Sequence, residues 1–198
     1  NDVVITATNE VVLDSTVASS LGNVSISGND VKVSGAISTT VGNVTLTATN
    51  DAATSDVDAT VTAGGGVTIS DGKWDADGQK IEAQGGSGIV ISGDASLAGT
   101  GATLEGSSVT ITSTGNQLIA SLAEVTATQG IVLSAGSATG NIAIGGVTTA
   151  ATGVATLVTG DGTDSITINN DNVTAVITTG KATDTIILTD IAATGSSV

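Results

Sequence analysis

The sequence predicts an all-β fold: a right-handed three-sided parallel β-helix (β-solenoid) of about nine coils, 20–23 residues each. Three observations predict it. First, one tetrapeptide (aliphatic residue, any residue, Ile or Leu, then Ser or Thr) returns seven times, as Val3–Thr6, Val24–Ser27, Val44–Thr47, Val67–Ser70, Ile89–Ser92, Val109–Thr112 and Ile131–Ser134. The starts lie 21, 20, 23, 22, 20 and 22 residues apart, and a fixed period in the twenties marks a repeat architecture. Second, Val, Ile and Thr dominate, 27 Gly supply turns and Pro is absent, a composition that favours strands over helices. Third, Trp74 is the only aromatic residue. A wide globular centre is normally filled with rings, whereas a narrow cylinder is filled by stacked Val, Ile and Leu.

Residues 22–41 show how one coil is built. Gly22-Asn23 opens it, Val24–Ser27 alternates, and Gly28-Asn29-Asp30 turns. Val31–Ser34 alternates again, Gly35 turns, and Ala36–Thr39 makes a third side. Period-two alternation puts Val24, Ile26, Val31, Val33 and Ile37 inside and Ser25, Ser27, Lys32 and Ser34 outside. A single coil cannot bury that apolar face, but a stack of coils can, each strand pairing in parallel with its counterparts above and below. An antiparallel sandwich shares the turn spacing but does not require the 21-residue recurrence.

Three segments interrupt the rhythm. Residues 50–65 lengthen one coil, residues 71–80 form an acidic insert, and residues 135–153 loosen the pattern. Beyond them, Gly160–Ile166 and, twenty residues later, Gly180–Ile186 start a related repeat. No Pro-rich or charged linker separates these parts. The expectation is a single domain over 1–198, with regular coils in 1–134, a looser coil in 135–153 and variant C-terminal coils in 154–198.

Charge and composition exclude several function classes. A net charge of −15 with four Lys and no Arg argues against nucleic acid and anionic membrane surfaces, whose phosphates require cationic side chains. No apolar run reaches the length of a membrane span. The absence of Cys rules out a disulfide scaffold and thiol chemistry, and fits an extracellular bacterial repeat protein stabilised by stacking. Neither a signal peptide nor an initiator Met is present, which predicts a processed product or an excised piece.

The stretch Gly22-Asn23-Val24-Ser25-Ile26-Ser27-Gly28-Asn29-Asp30-Val31-Lys32-Val33-Ser34-Gly35-Ala36-Ile37, together with Gly42–Thr49, resembles the repeats of filamentous-haemagglutinin-like bacterial surface proteins. The resemblance covers roughly residues 1–134. It implies a right-handed parallel β-helix and a secreted adhesin or exoprotein. The family's N-terminal secretion domain is not recognisable in this sequence.

Few residues suggest a site. Thr159–Thr167 nearly matches the calcium nonapeptide G-G-x-G-x-D-x-U-x, which makes Asp161, Asp164 and Asp184 candidate Ca²⁺ ligands. However, the twenty-residue spacing departs from the nine-residue repeat of calcium rolls, and a Gly-Asp turn before a strand explains the same residues. Asp71, Asp75 and Asp77 make an oxygen-rich loop of the kind that can hold Ca²⁺, but the spacing does not fit an EF-hand and a solvated loop is the favoured reading. Trp74 is a candidate contact for a neighbouring chain or a glycan, or side-wall packing. Thr-x-Thr pairs such as Thr45/Thr47 and Thr110/Thr112 suggest an ice-binding rank, but across the whole sequence they do not hold one register against the anchors. Asn23 and Asn43 fall at equivalent places in adjacent coils and predict an internal amide ladder. Without His, Cys or Arg, and with no base beside any Ser, the sequence predicts no enzyme.

The functional expectation is an extracellular structural protein of a bacterial cell surface, a rod or self-assembling filament subunit. Its partner would be itself, end to end through Val3, Ile5, Ile186 and Leu188, because no polar cap covers the first or last strand. The alternatives are an adhesin module binding a glycan or surface protein, and a calcium-dependent surface-layer protein. No cofactor is expected beyond Ca²⁺.

Overall fold

In the computed structural model, the described residues are 1–50, 54–76, 78–93, 96–113, 117–134, 139–144, 147–149, 154–169 and 174–189. Asp77, much of 135–153 and all of 190–198 lie outside them, so the expectations placed there are not addressed.

The first coil comprises β1 (Val3–Thr6), β2 (Glu10–Leu13) and β3 (Val17–Ser19). The second holds β4 (Val24–Gly28), β5 (Asp30–Val33) and β6 (Ile37–Thr39). The third holds β7 (Val44–Ala48), β8 (Thr54–Val57) and β9 (Val61–Ala63). The fourth holds β10 (Val67–Ser70), β11 (Lys73–Asp75) and β12 (Lys80–Ala83). After β13 (Ile89–Gly93), two long strands, β14 (Ser96–Ser113) and β15 (Gln117–Ser134), bend through successive sides without a break. They are followed by β16 (Thr139–Ile144), β17 (Val147–Thr149), β18 (Val154–Val158), β19 (Ser165–Asn169), β20 (Thr174–Thr178) and β21 (Thr185–Thr189).

Every ladder is parallel, joining strands one coil apart. The seven tetrapeptides lie one above another on the first wall. Val3, Val24, Val44, Val67, Ile89, Val109 and Ile131 are successive partners, and the wall continues into β18 and β20. The second wall starts as a separate four-stranded sheet, β2-β5-β8-β11. Farther along, β16, β19 and β21 carry that side forward. The third wall runs through β3, β6, β9, β12, the middles of β14 and β15, and β17.

The coil count is therefore corrected from about nine to about seven three-sided turns. Among the described residues the third wall holds seven strands, whereas the coils from β18 onward show only two sides, β18 with β19 and β20 with β21. The altered repeat from residue 154 is the sequence signature of that change. It has one alternating segment on each side of a single Gly-Asp turn.

Alternation decides burial as expected. Val24, Ile26, Val31, Val33 and Ile37 are buried, while Ser25, Lys32 and Ser34 face outward. Burying an aliphatic side chain of this size stabilises by about 1.5–3 kcal/mol, and each coil repeats the gain. The corners are packed just as closely. A Cβ on Gly42 would sit 2.1 Å from the carbonyl oxygen of Gly22 in the coil before, so only glycine allows the turns to stack at strand spacing.

Candidate interaction surfaces

Trp74 was expected to contact a partner, a glycan or the side wall; the structure places it inside. β11 alternates around it, so Lys73 and Asp75 turn outward and the ring has 0 % exposure. Its Nε1–H donates to the carbonyl of Asp71 at 2.6 Å. Asp71 and Gly72 have φ of 56° and 60°, a left-handed pair that turns the corner from β10 on the first wall to β11 on the second and leaves the Asp71 carbonyl within reach of the indole. The ring fits because its ladder partner is Ser55, also fully buried. The hydroxyl of Ser55 is satisfied by the Val31 N–H at 3.0 Å.

Asp161, Asp164 and Asp184 do not come together as ligands. The turns at 160–164 and 180–184 stack in register. Gly180 N–H donates to the Gly160 carbonyl at 3.0 Å, and Thr185 N–H donates to that of Asp164 at 2.9 Å. Asp184 Oδ1 accepts the Asp164 N–H at 3.1 Å, so it caps the turn of the neighbouring coil. Asp161 is exposed and shares its register position with Lys181. Among the described residues, no three Asp, Glu, His or Cys side chains gather where they would hold a metal ion.

In place of an internal amide ladder, an exposed corner carries a chain of side-chain oxygens that accept backbone N–H groups of the next coil. Asp2 Oδ1 accepts the Asn23 N–H at 2.8 Å, Asn23 Oδ1 accepts the Asn43 N–H at 2.8 Å, and Asn43 Oδ1 accepts the Gly66 N–H at 2.7 Å. Each side-chain carbonyl thus satisfies a backbone donor that the turn would leave unpaired.

The end rungs differ from the middle. Val3, Ile5, Leu13 and Val17 in the first coil, and Ile186 and Leu188 in β21, point inward but are only half-buried. Among the described residues, β1, β2 and β3 each pair on one side only, as do β20 and β21.

A feature the sequence reading missed lies on the third wall. Glu82 on β12 and Glu105 on β14 are ladder partners. Lys80 Nζ bridges them, at 3.0 Å to Glu82 and 2.8 Å to Glu105. They border a cleft of about 280 Å³ floored by Ala83, Gly86 and Gly106. The Gln84 side-chain N–H at 2.9 Å, and then Lys80, hold the Glu82 carboxyl below its ordinary range. Glu105, followed by Glu82, raises Lys80. A general acid needs the opposite shift, so the Glu82 carboxylate is arranged as a fixed ion. The 23-residue separation of Glu82 and Glu105 is one repeat period, and that was the available signal. On the second wall, Lys32 pairs with Glu10 at 2.7 Å and its pKa is raised, chiefly by that hydrogen bond.

Among the described residues no helix is long and apolar enough to cross a membrane. In comparisons with known proteins, no family model, no curated protein and no solved structure matches the chain.

Proposed function

We propose that the chain is a structural rod of an extracellular bacterial surface, extended by head-to-tail stacking of opposite ends into a filament. One observation carries this reading: at both ends of the described solenoid, an apolar inward row and a set of strand edges stand half-covered. An added coil would bury Val3 and Ile5, or Ile186 and Leu188, as Ile26 and Leu46 are buried within the stack. Such an edge is a template for another strand. A contact between opposite ends does not close on itself, so it propagates.

The resemblance of residues 22–37 to filamentous-haemagglutinin-like repeats supports the extracellular placement, as do the acidic, cysteine-free composition and the fold. An adhesin reading draws less support, because Trp74 is buried. Negative-stain microscopy of the purified chain tests the proposal. Fibres one solenoid wide support it. A monodisperse monomer at high concentration counts against it.

A further inference from the structure

The outward side of the first wall carries two rows that run the length of the described solenoid. The first begins Val4, Ser25, Thr45 and then alternates strictly: Thr68, Val90, Thr110, Val132, Thr156, Val176. The second, two residues on in each strand, reads Thr6, Ser27, Thr47, Ser70, Ser92, Thr112, and then Ser134, Val158 and Thr178. The register is unbroken along this wall; the shifts within β14 and β15 all precede Ser108. The sequence-wide count of Thr-x-Thr pairs concealed this arrangement. Pairs such as Thr60/Thr62 belong to other sides, and Ser and Val complete the rows.

Three properties define what the face can bind. It is uncharged. The protein has 19 acidic residues and four Lys, yet none occupies these rows, while Lys32 with Glu10 and Lys80 with Glu82 and Glu105 lie on the other two walls. It is partly apolar. Val4 is 69 % exposed, and Val90, Val132 and Val176 are 42 %, 39 % and 38 % exposed, all in one row; aligned exposed apolar groups mark an interaction surface. It is periodic. Rungs repeat about every 4.8 Å, and the two rows lie about 6.6 Å apart.

A protein partner fits poorly. Nine rungs by two rows span about 43 Å by about 6.6 Å, roughly 290 Å² on the sheet spacings above, and a stable interface needs about 800 Å² per partner. A crystalline glycan would be gripped by aromatic stacking, and the one aromatic ring is buried. An ordered water lattice fits each property. Every Ser and Thr hydroxyl both donates and accepts, as lattice water does, and Val and Thr methyl groups make no hydrogen bonds that compete with those of the lattice. A rigid sheet repeats the contact without an ordering cost at each rung. We propose that the first wall is an ice-binding face.

The test is partition of the purified chain into slowly grown ice, compared with Thr110→Lys and Val132→Lys on the face and Thr62→Lys on the third wall, with circular dichroism to show that all are folded. The wild type and Thr62→Lys are expected in the ice fraction. Each face variant should fall at least about tenfold, because one charged rung interrupts a multivalent contact. Exclusion of the folded wild type from ice, or face variants that partition like wild type, overturns the proposal. So does a wild-type dimer in sedimentation that the face variants abolish, which would make the wall a protein interface.

Discussion

The indole N–H of Trp74 donates to the carbonyl of Asp71, three residues earlier, at 2.6 Å inside the solenoid. The ring closes the end of the four-stranded second-wall sheet, above the small Ser55. As the only aromatic residue, it reports on the core alone. Its fluorescence should be blue-shifted and shielded from acrylamide in the folded chain, becoming red-shifted and quenchable in denaturant. Trp74→Ala should cost about 3–5 kcal/mol, the range for deleting a large buried ring, as read by urea melts.

Ile26 and Ser25 are adjacent but face opposite ways. Ile26→Asp buries a charge with no partner and should cost more than about 4 kcal/mol or prevent folding. Ser25→Asp should stay within about 0.5–1 kcal/mol. Equal losses in chemical denaturation would refute the facing.

The corner glycines make a sharper contrast. A methyl group on Gly42 meets the Gly22 backbone at 2.1 Å, whereas one on Gly78 meets nothing within 4 Å. Gly42→Ala should lower stability by about 1–3 kcal/mol through overpacking. Gly78→Ala bears only the strain of its φ of 65°, about 1 kcal/mol. Thermal melts of the two variants separate clash from strain.

For Glu82 the sign of the pH effect follows from its depressed pKa. The stabilisation is present above the ordinary carboxylate pKa and is lost as pH falls through the lower folded value. Lys80 is the reverse: its pKa is raised, so its contribution holds below the ordinary Lys value and is lost as pH rises through the folded one. Both pairs are near the surface and contribute little. The expected readout is therefore the midpoint: Gln84→Ala should move the Glu82 midpoint up in an NMR titration, and an unchanged midpoint would contradict the assigned cause.

The regular part of the fold was legible because period and alternation are local properties. The anchors Val24 and Ile26 declare both their spacing and their facing. Among the described residues the coils after residue 154 show two sides, which was not legible because they keep the twenty-residue period of the regular coils. Trp74 was left between a neighbouring chain, a glycan and side-wall packing, because its facing depended on the Asp71-Gly72 turn setting the phase of a three-residue strand. Glu82, Lys80 and Glu105 were not singled out, although their separation already placed Glu82 and Glu105 one coil apart. Asn23 and Asn43 showed equivalence but not side, since a turn residue has no alternation to reveal its facing.

The central claim is that coils lie directly above one another, so distance grows in proportion to rung number. Nitroxide labels on Val4→Cys and Val90→Cys, four rungs apart, and on Val4→Cys and Val176→Cys, eight rungs apart, measure this by pulsed dipolar spectroscopy in a chain without native Cys. Stacking predicts about 19 Å and about 38 Å. A second distance that fails to be about twice the first would contradict it.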